Sequence, residues 1–216
     1  MPNFIAHRGN TEGPSPLENT PEHLIAAMKK GYSVEMDVWV DPPKPSPLSE
    51  FDQYTLWLGH DGPSHEFTLK LLGAPKFYNV KAYLHAKDFQ TFDYLLRAWG
   101  TLGLNDTNYD LFYHTTEDFV LTKNGKYWIH PNFIPEMLNT RNLHKENHIL
   151  VMPELNESVT LNYDGRLTSY TICTDYVEKI MENMHNYHAK MAAFGANRSV
   201  MTQASSGIVI TKASDR

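Results

Sequence analysis

The chain carries an apolar run that stops abruptly in ionisable residues, and it repeats the device several times. Asn3-Phe4-Ile5-Ala6 leads directly into His7-Arg8-Gly9, so a strand starting beside Met1 would present an imidazole and a guanidinium at its carboxyl end. The same pattern returns in Val34-Glu35-Met36-Asp37-Val38, in Leu58-Gly59-His60-Asp61 and in Tyr83-Leu84-His85-Ala86-Lys87. A fold that uses this pattern must bring successive strand ends to one place. Parallel sheets do so, because crossover helices return each strand in the same direction.

Helical patterns lie between several of these runs. Thr20-Pro21-Glu22 reads as N-cap, first-turn proline and first-turn acid, and Leu24, Ile25, Ala27 and Met28 follow at helical spacing until Gly31 closes the helix. Phe89 to Trp99 places Phe92, Leu95, Leu96 and Trp99 on one face. Further strand-like runs fall at Tyr54 to Gly59, Ala82 to His85, Asp110 to His114, Phe119 to Thr122, His148 to Met152 and Tyr170 to Thr174. With the first two they make about eight, which predicts an α/β fold: a TIM-type (β/α)8 barrel in a single compact domain, whose site gathers at the carboxyl ends of the strands. A doubly wound open sheet is the competing fold. The barrel is expected over residues 1–185 and a peripheral or partly ordered C-terminal tail over 186–216, with at best a peripheral strand at Ser206 to Lys212. Four prolines in Asp41 to Glu50 predict a surface loop or hairpin, and Lys123-Asn124-Gly125-Lys126 a hairpin with Asn-Gly at its tip.

The bulk numbers exclude several classes. A formal net charge of -6 gives no support to a nucleic-acid partner, although a local basic pocket could hold one phosphate. Cys173 is the single cysteine, so an internal disulfide framework is excluded and a reduced compartment is the simplest assumption. A first strand beside Met1 leaves no room for a cleavable secretory segment, and no apolar run reaches the roughly 20 residues of a membrane helix, so a cytoplasmic location without a transmembrane segment is expected. Oligomeric state is not written in any of these features.

Glu35 and Asp37 stand two apart in a strand and therefore point to the same face. Two carboxylates side by side in a barrel lumen are costly without a cation between them, and hard oxygen ligands favour Mg²⁺ or Ca²⁺ first, with Mn²⁺ as a further candidate. The bland reading is a solvated edge-strand pair, which the apolar neighbours disfavour. His85 and Lys87 obey the same spacing: His85 is a candidate third metal ligand, and Lys87 a point charge for an anionic substrate. Either could instead be an ordinary strand-end or loop residue. His7 and His60 are the candidates for proton transfer, since imidazole titrates near neutral pH. His114, ending another strand, is a secondary candidate, while His23, His65, His144, His185 and His188 read as surface residues. Trp128, Tyr127 and Trp39 are candidate rim aromatics, although aromatics are more often core.

Taken together, His7-Arg8-Gly9, Glu18-Asn19-Thr20, Glu35-Met36-Asp37 and His60-Asp61 resemble, in order and spacing, the HRG, PENT, ExD and HD elements of the glycerophosphodiester phosphodiesterase family. The likeness is strong over residues 4 to 61 and fainter later, where Pro153-Glu154 and Thr174-Asp175-Tyr176 resemble the family's last two barrel strands. Leu17 stands where the family's second element has proline, and His85 where its metal-binding glutamate precedes the lysine of the fourth strand. The connection from Asp61 to His85 is short, leaving little room for the family's usual insertion, which places the chain in a compact branch similar to sphingomyelinase D and, more distantly, phosphatidylinositol phospholipase C.

The resemblance implies a phosphoric diester hydrolase acting on a glycerophosphodiester or related small-molecule alcohol phosphodiester through a cyclic phosphate. It assigns His7 and His60 to acid-base catalysis, Arg8 and Lys87 to the substrate phosphate, and Glu35, Asp37 and His85 to a divalent metal. Imidazole in place of a carboxylate leaves the site one negative charge poorer and admits softer metals such as Mn²⁺ or Zn²⁺. Glu18 would position the metal's water or orient a ligand, or else simply sit beside the helix start at Thr20. Two other outcomes stand beside this one: a lyase-like enzyme that stops at the cyclic phosphate, and a non-catalytic phosphate- or sugar-binding barrel.

Overall fold

The computed structural model describes residues 3–41, 54–139, 144–155 and 166–205. In chain order its elements are β1 (Asn3–Ala6), α1 (Pro21–Lys29), β2 (Ser33–Val40), β3 (Leu56–Leu58), β4 (His65–Glu66), α2 (Leu69–Tyr78), β5 (Ala82–Ala86) and α3 (Phe89–Ala98). These are followed by β6 (Tyr109–Tyr113), β7 (Phe119–Leu121), β8 (Tyr127–Ile129), α4 (Ile134–Asn139), β9 (His148–Val151), β10 (Thr171–Thr174) and α5 (Val177–Ser205). The helices start where side-chain chemistry tells them to. Thr20 accepts from the His23 N–H at 3.3 Å ahead of Pro21, Thr68 from the Leu71 N–H at 3.2 Å, and Asp88 from the Thr91 N–H at 2.6 Å. The two helices expected from periodicity are α1 and α3. α2 lacks a clear apolar stripe, carries Pro75 inside it and ends at Asn79 in the left-handed conformation.

Seven of the strands form one parallel row in the order β6-β5-β2-β1-β10-β9-β8. Alternation along them sorts the side chains. Val34, Met36, Val38, Leu84 and Leu111 face outward and pack under Leu24, Met28, Leu71 and Leu95 of the covering helices. Ile5, Tyr83, Phe112, Trp128, Ile149, Val151 and Cys173 face inward and fill the concave side of the curled sheet. Each strand's last inward position, or the next one beyond its end, is therefore left at the rim above an apolar plug.

The expected closed eight-stranded barrel is not formed. No ladder joins β6 to β7 or β8 among the described residues, so the sheet is curled but open there. Two of the runs taken for staves are antiparallel companions instead: β3 pairs with the upper half of β2, and β7 with β8. The physical reason is connection chemistry. A parallel neighbour needs a crossover of a dozen or more residues, usually a helix, and the short turn between β7 and β8 cannot supply one. β5 thus lies directly against β2, with Asp37 beside His85, making it the third parallel strand rather than the fourth. The true partner of β9 is β8, a three-residue strand that periodicity did not show.

The predicted Asn-Gly hairpin is present: Gly125 sits at φ 76° and its N–H bonds the Thr122 carbonyl at 2.9 Å. It also bridges the opening. The Lys123 N–H bonds the Leu111 carbonyl at 2.7 Å, and the Asp110 carboxylate accepts from the Thr122 hydroxyl at 2.9 Å and the Asn124 N–H at 3.0 Å. α5 runs unbroken through the expected 185/186 boundary. The proline-rich stretch 42–50 and the segment 206–212 lie outside the described residues. No helix among the described residues is long and apolar enough to cross a membrane.

Candidate functional site

β1 delivers the first two groups through a strained turn. Arg8 adopts φ 50° and Gly9 φ 85°, which turns the Arg8 N–H onto Glu35 Oε2 at 3.1 Å. A Cβ on Gly9 would press on His23 Cδ2 at 2.9 Å and on the α1 backbone, so the glycine is a close-approach residue as well as a left-handed one. His7 is buried with Nδ1 2.9 Å from Asp175 Oδ1 and Nε2 3.9 Å from Glu35 Oε2. Burial pulls the imidazolium's pKa down, but the hydrogen bond to Asp175 and the charges of Glu35 and Asp175 outweigh it, and His7 ends above its ordinary value.

The carboxylate pair behaves as two different groups. Asp37 is fully buried and takes hydrogen bonds from Asn19 Nδ2 on Oδ2 and His85 Nδ1 on Oδ1, both at 2.9 Å, and it forms ion pairs with Arg8 Nε at 3.1 Å from Oδ2 and Lys87 Nζ at 3.1 Å from Oδ1. Burial pushes its pKa up, yet the hydrogen bonds from His60 and His85 and the nearby positive charges overturn that and hold it well below the usual carboxylate range. Glu35 Oε1 lies 3.7 Å from His85 Nδ1, beyond hydrogen-bond distance. Burial first, and the Asp37 charge second, push Glu35 up. One carboxylate is neutralised by the protein, and its neighbour is short of positive charge.

His60 is brought in by Gly59, whose φ of 145° and whose position against the Gly62 carbonyl oxygen leave no room for a Cβ. Its Nδ1 lies 2.8 Å from Arg8 Nη2, 3.2 Å from Lys87 Nζ and 3.3 Å from Asp37 Oδ2. Asp61 points into solvent. The His85 ring lies parallel to those of Phe112 and His114, with centroids 4.8 and 4.4 Å away and both on its β6 side, and its Nε2 is buried without a partner among the described residues. Burial, then the charges of His85 and Lys87, lower His114 to about 4.

His7, Arg8, Glu35, His60, His85, Lys87 and His114 therefore line one cavity of about 290 Å³, and Asp37 is buried behind Arg8, His60, His85 and Lys87, which it contacts. Glu18 does not line it. Its two oxygens take Arg8 Nη1 at 3.1 Å and Asn10 Nδ2 at 2.8 Å, so it orients the guanidinium from behind. Among the rim aromatics, Trp128 lines the cavity at its apolar end, Tyr127 stacks on His148, and Trp39 donates to the Gly59 carbonyl at 2.6 Å.

Three contributors escaped sequence reasoning. Asp175 holds His7. Asn10, fully buried, donates through Nδ2 to both Asp175 Oδ1 and Glu18 Oε1 at 2.8 Å, tying the supports of His7 and Arg8 together. His23, expected on the surface, places Nε2 3.0 Å from Asn10 Oδ1 and so fixes which way that amide faces. The available signal was the rule that inward positions continue past a strand's end, which places Asp175 two residues beyond the inward Cys173.

One oxygen each from Glu35 and Asp37 and one His85 nitrogen lie within 4.8 Å of one another, all from buried residues. Such a group could hold a metal ion, and the under-compensated Glu35 oxygen is the observation that favours it. Four carboxylates (Glu18, Glu35, Asp37 and Asp175) face two permanent cations (Arg8 and Lys87) around this site, which leaves room for further positive charge. Family models, curated proteins and solved structures contain no match to this chain.

Proposed function

We propose that this chain is a metal-dependent phosphodiesterase acting on a glycerophosphodiester or a related alcohol phosphodiester. The observation that carries the reading is the convergence on one cavity of two imidazoles, two permanent cations and a carboxylate pair of which only one member is neutralised. The ordered resemblance to the glycerophosphodiester phosphodiesterase motifs supplies the substrate class.

With Nδ1–H donated to Asp175, His7 keeps a basic Nε2 toward the cavity. It takes the proton of a substrate hydroxyl neighbouring the phosphate, and that oxygen attacks phosphorus. The P–O bond to the second alcohol breaks, and His60 gives that alcohol its proton. A cyclic phosphate results, and the exchanged roles return it to a monoester when water attacks. Arg8 and Lys87 carry the negative charge that grows on the phosphoryl oxygens. Held by Glu35, Asp37 and His85, a divalent cation (Mg²⁺ or Ca²⁺ first, Mn²⁺ or Zn²⁺ otherwise) would supply Lewis acidity to one of those oxygens.

The test is turnover of glycerophosphodiesters by His7→Ala and His60→Ala beside the parent, with phosphate binding measured on the same proteins. Each change should lower kcat by roughly 10²-fold or more while the anion still binds. Unchanged turnover in His7→Ala would contradict the scheme. A cyclic phosphate that accumulates and never opens would make the enzyme a lyase.

A further inference from the structure

The cavity has two unlike walls. The side built from β1, β2 and β5 is charged, whereas the side built from β7, β8 and β9 presents Val120, Trp128, Pro131, Val151, Met152 and Leu155. The polar groups near that second side are partly engaged within their own loops. Glu117 oxygens accept from the Thr115 N–H at 2.7 Å and the Thr116 N–H at 3.0 Å, and His130 Nδ1 accepts from the Asn132 N–H at 3.4 Å. Leu155 closes the series at the mouth, where it is 64% exposed, so apolar surface stands open to whatever the phosphate carries.

We infer that the alcohol on the far side of the phosphorus, the one that leaves, is an apolar alcohol of short alkyl or aromatic type rather than a polyol. This rests on the phosphodiesterase reading above. A polyol would lose its water against Val120, Val151, Met152 and Leu155, which offer no donor or acceptor, and unpaired buried hydroxyls are costly. An alkyl group loses nothing there and gains by burial. The two ester arms are thereby sorted: the arm with the attacking hydroxyl lies toward His7 and the charged wall, and the leaving arm keeps its ester oxygen within reach of His60 while its carbon chain lies under Trp128.

Two series decide it, both on the full chain. Calorimetric binding of methyl, butyl and hexyl monophosphate is compared with glycerol 3-phosphate, and turnover is followed on the matching glycerophosphoalkyl diesters, whose leaving alcohols differ little in acidity. Affinity should rise about two- to threefold per methylene, somewhat below the gain of complete burial. Leu155→Asn, at an exposed position that does not threaten the fold, should shrink the butyl-over-methyl ratio. A flat series, or glycerophosphoglycerol turned over with a higher kcat/KM than the butyl diester, overturns the inference. Rising affinity in an inactive protein would remove the phosphodiesterase reading and keep the apolar wall. Full activity with a flat series would do the reverse.

Discussion

The β1-β2-β5 side of the sheet and the β8-β9 side do the same geometric job by opposite means. On the first, continuous parallel ladders set Asp37 beside His85 and bring the end of β1 against Glu35, and an ionic network around Asp37 locks Arg8, His85 and Lys87. On the second, short strands and a hairpin present apolar side chains, and the sheet reaches β6 without a ladder among the described residues, through the Lys123–Leu111 and Asn124–Tyr109 hydrogen bonds, Asp110 and the stack of Trp128 on Phe112 at 4.1 Å. The difference shows where precision is needed. Charged groups near a reacting phosphorus must be held by ladders and shared counter-ions, whereas an apolar wall needs only the right surface.

The largest effect should come from breaking the ionic side. Asp37→Ala leaves Arg8 and Lys87 without the anion they share, and loss of one partner from such a buried network costs about 3–5 kcal/mol, read by urea unfolding. Asp110→Ala tests the other side. It removes the acceptor that ties the hairpin to β6 and should cost about 2–3 kcal/mol, with turnover changed far less than in any variant of the charged wall.

A smaller effect is expected at the Asn10 support. His23→Leu should lower turnover roughly tenfold by freeing the Asn10 amide, and His23→Gln, which can still donate to Asn10 Oδ1, should restore most of it. A stability change without this rescue would make His23 merely structural.

The smallest is a pH effect. His114 titrates near 4 in the folded chain against an ordinary 6.5, so between those values the unfolded chain binds more protons. Its contribution to stability is therefore present above about 6.5 and is lost as pH falls toward 4. Glu35 and His7, both raised, act in the opposite direction, so the comparison is between parent and His114→Asn. The variant should show a shallower loss of stability over that window, reduced by solvent screening because His114 is only partly buried.

How much of this was legible in the sequence follows the same division. On the charged side, chemistry sits at alternating positions of long strands, so Glu35, Asp37, His85 and Lys87 could be read from spacing, and His7 and Arg8 from the strand they end. The apolar side has no such period. β7 and β8 are three residues each, and a Tyr-Trp-Ile run reads equally as strand, turn or core. The number of strand-like runs does not fix barrel closure, because a run adds a stave only where its connection can return the chain in parallel. Asp175, Asn10 and His23 were missed because their roles arise from tertiary contacts between segments far apart in the chain.

The most direct test of the central claim is phosphodiesterase turnover of EDTA-treated protein with Mg²⁺, Ca²⁺, Mn²⁺ or Zn²⁺ restored one at a time, beside Glu35→Gln. The account predicts that activity returns with at least one metal in the parent and with none in Glu35→Gln, although that variant folds at least as well without metal because a repelling buried charge has gone. Turnover that ignores EDTA, or that survives in Glu35→Gln, would contradict it.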